Sequence, residues 1–214
     1  MTKVKICGIR TADVFDAAAF AGADWIGFVF VPSSPRAVTP GQAAALAARG
    51  GTPAHVGLFV EPSDDEVARV LDALPLAALQ VYADAGRIAA LRRRFGVPVW
   101  HSVGVSDRDD LPGATAADAL LLDAKAPAGA ALPGGNAGSF DWSVLQGWAA
   151  PAPWLLAGGL TAGNVAAAVQ RSGATAVDVS SGVERERGVK DAGLVRSFVQ
   201  AAKDVRRATV PAPG

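Results

Sequence analysis

The only cysteine of the chain, Cys7, closes the segment Lys3-Val4-Lys5-Ile6-Cys7, and a carboxylate, Asp123, closes the apolar run Ala119-Leu120-Leu121-Leu122. Each has a bland reading. A lone core cysteine can be a small inert hydrophobe, and an acid after a strand can cap a helix or stand in a solvated loop. No helix begins directly after Asp123, because Ala126-Pro127-Ala128-Gly129 intervenes, so capping does not account for it. A thiol and a carboxyl facing each other across a ligand site supply a base and an acid, the pair that suits proton transfer.

Two glycine-bearing loops point to an anion. Gly158-Gly159 and Ser180-Ser181-Gly182 each follow a short apolar run, and glycine lets a phosphate approach main-chain N–H groups. Their alternative is a pair of plain turns. Arg36 lies in Val31-Pro32-Ser33-Ser34-Pro35-Arg36; an isolated loop arginine is often idle in solvent, but two prolines stiffen this one for a bidentate carboxylate or phosphate clamp. His55 and His101 have no partner at metal-ligand spacing and read as structural, so no metal site is expected.

The elements that must position these groups alternate. Strands are expected at Val4–Cys7, Trp25–Phe30, His55–Val60, Ala78–Tyr82, Pro98–Val103, Ala119–Asp123, Trp154–Ala157 and Ala176–Val179. Helical patterns fall at Ala12–Ala21, Pro40–Arg49, Ser63–Ala73, Ala85–Phe95, Trp142–Trp148, Ala162–Arg171 and Asp191–Arg206, with at most a turn or two at Asp107–Leu111. Eight βα units in 214 residues predict an α/β fold, a (β/α)₈ TIM barrel with a reduced or missing fifth helix. A flavodoxin-like sheet needs only five strands, and a dinucleotide-binding sheet would want GxGxxG where Cys7-Gly8-Ile9-Arg10 stands. The barrel is expected to span 1–208 as one catalytic domain, leaving 209–214 as a frayed tail.

In such a barrel the carboxyl ends of the strands gather at one mouth, which brings Cys7, Asp123, Gly158-Gly159 and Ser180-Ser181-Gly182 together. Alternation also turns Lys5 inward two residues below Cys7, where an unpaired ammonium would cost several kcal/mol. Closure sets strand eight beside strand one, so Asp178 is the expected partner; the pair is either purely architectural or also favours the Cys7 thiolate. The loop Ala124–Ser139 is too long and too weakly apolar for a packed connection and reads as a lid, with Asp141 capping the next helix.

Composition narrows the class. Half the residues are hydrophobic, 19% are charged, and 20 basic side chains match 20 acidic ones. The chain is too apolar for disorder, and it has no general basic field for nucleic acid or a membrane surface. One cysteine excludes an internal disulfide and fits a reducing compartment. No signal-like or spanning run is visible, so a cytoplasmic location is expected.

Lys5-Ile6-Cys7-Gly8-Ile9, Gly27-Phe28-Val29-Phe30 with Ser34-Pro35-Arg36, Val56-Gly57-Leu58-Phe59, Leu120-Leu121-Leu122-Asp123, Gly134-Gly135…Phe140-Asp141-Trp142, Leu156-Ala157-Gly158-Gly159-Leu160 and Asp178-Val179-Ser180-Ser181-Gly182-Val183-Glu184, taken in order, resemble the phosphoribosylanthranilate isomerase family of tryptophan biosynthesis. The resemblance implies an aldose-ketose isomerase that carries out an Amadori rearrangement without cofactor or metal, as a monomer or homodimer. It implies Cys7 as general base and Asp123 as general acid. The phosphosugar would be held by Gly158, Gly159, Asp178, Ser180, Ser181 and Gly182, and its anthranilate carboxylate by Arg36. Two departures stand out: the family commonly has Leu-Gln-Leu-His-Gly where this chain has Leu79-Gln80-Val81-Tyr82-Ala83, and Thr-Gly-Lys-Thr where it has Asn136-Ala137-Gly138-Ser139. The competing readings are a non-catalytic phosphosugar-binding barrel, acting as sensor or partner subunit, and the histidine-pathway isomerase barrel, which would call for an aspartate at position 7.

Overall fold

The computed structural model describes residues 1–127, 129–130, 133–135 and 138–205. Eight parallel strands close into a barrel in sequence order: β1 Lys3–Cys7, β2 Trp25–Val29, β3 Ala54–Val60, β4 Ala78–Tyr82, β5 Val99–Val105, β6 Ala119–Ala124, β7 Trp154–Leu156 and β8 Ala176–Val179. Six helices surround it: α1 Ala12–Ala21, α2 Pro40–Ala47, α3 Asp64–Ala73, α4 Ala85–Phe95, α5 Val165–Ser172 and α6 Ala192–Lys203. Alternation divides the buried apolar side chains as a barrel requires. Val4 and Ile6 of β1 pack outward beneath the helices, whereas Val56, Ala78, Trp100, Leu121 and Leu155 fill the lumen. Among the described residues no helix is long and apolar enough to cross a membrane.

The expected elements are present, with two corrections. The segment expected to be helical from Trp142 to Trp148 is a 3₁₀ turn over Trp142–Leu145, capped as expected by Asp141, which accepts from the Ser143 amide at 3.1 Å. Arg108–Asp110 is likewise one 3₁₀ turn, so two of the eight helical layers are reduced. The helix expected from Ala162 starts at Val165 because Asn164 binds backwards: its Oδ1 accepts from the Thr161 amide at 2.7 Å and its Nδ2 donates to the Gly159 carbonyl at 2.9 Å. That side-chain turn competes with the helix and fixes the loop after β7. After β8 come a 3₁₀ turn, Ser181–Val183, and a small antiparallel hairpin, β9 Glu184–Glu186 with β10 Val189–Lys190. Residues 209–214 of the expected tail lie outside the described residues, as do Asn136 and Ala137 of the divergent loop motif.

Candidate active site

The thiol of Cys7 is reached from strand geometry. β1 pairs with β8 so that Lys5 lies opposite Asp178, and with β2 so that Cys7 lies opposite Gly27. Lys5 is fully buried, and its Nζ donates to Asp178 Oδ1 at 2.9 Å, the pair that barrel closure predicts. Gly27 makes room above it: a Cβ there would stand 3.0 Å from both the Cys7 Sγ and the Lys5 Nζ. Cys7 is 3% exposed. Burial pushes its thiol up, and the nearby ammonium groups of Lys5 and Lys190 draw it back only in part. Lys5 thus favours the thiolate, but burial outweighs it. For Lys5 itself, burial opposes the charge and Asp178, then Cys7, more than offset this, so its pKa is raised.

Asp123 ends the inward row of β6. Its Oδ1 accepts from the Ala124 amide at 2.9 Å, and its Oδ2 accepts from the Tyr82 hydroxyl at 3.4 Å. Burial first, and the negative charge of Asp178 second, push its carboxyl up to about 6. Gly134 rests on this pair. A Cβ at position 134 would strike the Tyr82 hydroxyl and approach Asp123 Oδ2 to 2.8 Å, so the described part of the 124–139 loop already lies over the acid.

The two loops expected to hold an anion adjoin one another. Gly158 and Gly159 adopt φ of 85° and 63°, a region that favours glycine, and a Cβ on Gly158 would stand 2.6 Å from the Ala124 nitrogen. A Cβ on Gly182 would overlap the Leu160 carbonyl oxygen, so only glycine lets the loops after β7 and β8 pack together. They line a cleft of about 320 Å³ with Asp123, Asp178 and Ser180. Behind it Lys190, whose side chain is 3% exposed, donates to the Ser180 carbonyl at 3.0 Å, and the Ser180 hydroxyl donates to the Cys7 carbonyl at 3.3 Å.

Arg36 is nearly buried and not idle. Its Nε donates to Glu184 Oε1 at 2.7 Å and its Nη2 to Oε2 at 3.0 Å, so one edge of the guanidinium fork is held from within. Its Nη1 is the atom nearest the place a Gly135 Cβ would occupy, at 2.6 Å. Glu184 also accepts from Lys190 at 3.2 Å and from the Gly188 amide at 3.0 Å; burial raises its carboxyl, but these donors lower it further. Cys7, Arg36, Gln80, Tyr82, Asp123, Gly134 and Asp178 line one cavity of about 490 Å³, which shares Asp123, Gly135, Asp178 and Ser180 with the glycine cleft. A two-ended ligand spanning these spaces would pass over both the thiol and the carboxyl.

A family model described as N-(5'-phosphoribosyl)anthranilate (PRA) isomerase matches residues 4–201. The chain belongs to the N-(5'-phosphoribosyl)anthranilate isomerase family. A relative of that name from Acidiphilium cryptum is 54% identical over 203 residues, covering 94% of this chain and 98% of its own; one from Granulibacter bethesdensis is 52% identical, covering 95% and 99%. The crystal structure of phosphoribosyl anthranilate isomerase from Thermotoga maritima superposes with a TM-score of 0.81 at 31% identity, covering 95% of this chain and 99% of that one. Another, of the enzyme in complex with reduced 1-(o-carboxyphenylamino)-1-deoxyribulose 5-phosphate, gives 0.79 at 29%, with the same coverage.

Within this N-(5'-phosphoribosyl)anthranilate isomerase barrel, Cys7, Asp123, Arg36, Asp178 and the glycine loops all reach one mouth. Glu184 and Lys190 were not singled out from the sequence, because only the β9–β10 hairpin folds them back onto Arg36 and Ser180. Gln80 was also missed, although strand alternation places it inward with Ala78 and Tyr82. It is 1% exposed and its Nε2 donates to Ser102 Oγ at 2.9 Å. A buried amide in an otherwise apolar row was the available signal. His55 packs beside Phe15 and Phe28, as a structural residue would. Among the described residues, no group of three or more His, Cys, Asp or Glu is arranged to hold a metal ion.

Proposed function

We propose that the chain catalyses the Amadori rearrangement of N-(5-phosphoribosyl)anthranilate to 1-(2-carboxyphenylamino)-1-deoxyribulose 5-phosphate, with Cys7 and Asp123 moving the protons. The observation that carries this reading is a raised carboxyl and a buried thiol lining one cavity between a guanidinium and a glycine cleft. Asp123 gives its proton to the furanose ring oxygen as the bond from that oxygen to C1 breaks, leaving a protonated imine. The cation makes the C2 proton acidic, and Cys7 removes it. The electron pair from C2–H neutralises the imine and leaves an enolamine, which tautomerises to the 2-ketone. No net oxidation or reduction occurs.

Main-chain N–H groups of Gly159, Ser181 and Gly182 would receive the phosphate, with the Ser180 and Ser181 hydroxyls beside them. Lys190 stands behind this loop, donating to the Ser180 carbonyl and to Glu184. Arg36 would receive the anthranilate carboxylate on the edge that Glu184 leaves open. The 124–139 loop closing over the imine would exclude water able to hydrolyse it. The test is direct: the purified protein should consume phosphoribosylanthranilate, followed by loss of its fluorescence. Binding of a product analogue without any turnover would favour the non-catalytic phosphosugar barrel instead.

A further inference from the structure

Tyr82 is the only tyrosine in the chain, and its hydroxyl meets the one carboxyl whose protonation the reaction needs. The meeting is made by topology. β5 lies between β4 and β6, and its residue opposite Asp123 is Gly104, over which Lys125 packs; the phenol reaches Oδ2 across that strand at 3.4 Å. Ser102 lies on the inward row of the same strand, where Gln80 donates to its Oγ at 2.9 Å and its own hydroxyl stabilises the Tyr82 oxygen. Gln80, Ser102, Tyr82 and Asp123 thus form a polar file across three adjacent strands, on inward rows whose other members include Ala78, Trp100 and Leu121.

We propose that Tyr82 is a positioning residue for the acid, donating to Asp123 Oδ2 so that the proton carried there is directed into the cavity and the carboxylate left behind is stabilised. The inference rests on the reading of Asp123 as the general acid. Oδ1 is held by the Ala124 amide, the Gly135 amide also donates to the carboxyl, and Tyr82 is the side-chain donor to it, at Oδ2. With Tyr82 on one side of Oδ2 and Gly134 pressed against both, the remaining direction is toward the ligand. The other charges facing Asp123 are Asp178 from β8, offset by Lys5 from β1, the Cys7 thiol of β1, and Arg36 behind Gly135. Lys125, two residues on, is turned to Asp110 at 2.6 Å. Tyr82 is pushed above the ordinary phenol range, first by burial and then by Asp123, so it stays a donor at working pH.

Because no other tyrosine exists, growth on 3-fluorotyrosine labels Tyr82 alone and makes it a stronger donor without altering the fold. Its fluorine resonance should titrate with a midpoint near 6, that of Asp123, and the titration should vanish in Asp123→Asn. The fluorinated enzyme should move the Asp123 midpoint, followed by carboxyl-carbon resonance, downward. Tyr82→Phe should move it upward by about half a pH unit or more, because a donor to the charged form is lost. The acid limb of kcat/KM should follow in both cases, with the Michaelis constant changed less than twofold. A midpoint that is unmoved, or that moves in the same direction in both proteins, overturns the proposal. Should Tyr82→Phe fail to fold, the fluorinated protein decides alone. The resonance readings need no turnover, so wild-type protein inert toward phosphoribosylanthranilate would overturn the assigned reaction while leaving the Tyr82–Asp123 contact to be judged separately.

Discussion

The Lys5 ammonium and the Asp178 carboxylate, 173 positions apart in sequence, lie 2.9 Å apart at the foot of the Cys7 thiol. Removing one member of such a buried pair strands the other. Lys5→Met should therefore lower unfolding free energy by ~3–5 kcal/mol, read as a reduced urea midpoint with unchanged slope. It should also raise the pH at which Cys7 becomes reactive, because Lys5 pulls the thiol toward ionisation. Alkylation rates against pH that coincide in variant and wild type would make the pair purely architectural.

Cys7→Ser and Asp123→Asn should each reduce turnover by roughly 10²–10⁴ while retaining affinity for a product analogue, since positioned proton transfer is worth about that much. Near-wild-type rates in either variant would remove that residue from the mechanism.

The active form needs a thiolate beside a protonated carboxyl, yet Asp123 has the lower pKa of the two. That form is a minority arrangement of the one-proton state, which exists between the two macroscopic values. The kcat/KM profile should fall below about pH 6, where the doubly protonated state accumulates, and fall again above the ordinary thiol range. A profile flat from pH 5 to 7 would contradict the pairing.

Asp123 also carries a stability cost. A carboxyl whose pKa is higher in the folded chain than in the unfolded one stabilises the fold when protonated, and that contribution is lost as pH rises from 3.8 to about 6. The lost stability is of order 3 kcal/mol. Asp123→Asn should thus raise the urea midpoint at pH 8 and leave it unchanged below about pH 4. Equal midpoints at pH 8 would show that the carboxylate is accommodated without strain.

Gly134→Ala tests the contact of the loop with the acid. Its methyl group would strike the Tyr82 hydroxyl and crowd Asp123, so the loop must lift. Turnover should drop about tenfold or more, as misplacement near the chemistry does, and hydrogen exchange of the amides at positions 134 and 135 should quicken with product analogue bound. Wild-type exchange and rate would show that the loop does not bear on the acid.

Strand order, the inward rows of β1 and β8, and hence the Lys5–Asp178 pair, were legible because a barrel fixes parity and neighbours together. Cys7 and Asp123 were legible as polar ends of apolar strands. The Arg36–Glu184–Lys190 cluster was not. Arg36 comes from the loop after β2, and Glu184 and Lys190 from a hairpin after β8 only a few residues long that carries no strong periodicity of its own. The late start of α5 was equally hidden, since Asn164 forms a backward turn instead of letting the helix begin at position 162. Tyr82 was visible only as a departure from the family pattern; its partner Asp123 lies two strands away, across β5, a juxtaposition that no motif records.

A thiol at position 7 that relies on position 178 also constrains biosynthesis. β1 leaves the ribosome first, yet its place in the barrel is completed only when β8 emerges to pair with it. Until then Lys5 has no counter-ion and Cys7 no electrostatic setting, and any polypeptide stopped short of β8 carries a cysteine of ordinary reactivity. The chemistry is thus withheld from truncated products, and thiol reactivity in nascent chains of graded length would mark the moment at which the circle of strands closes.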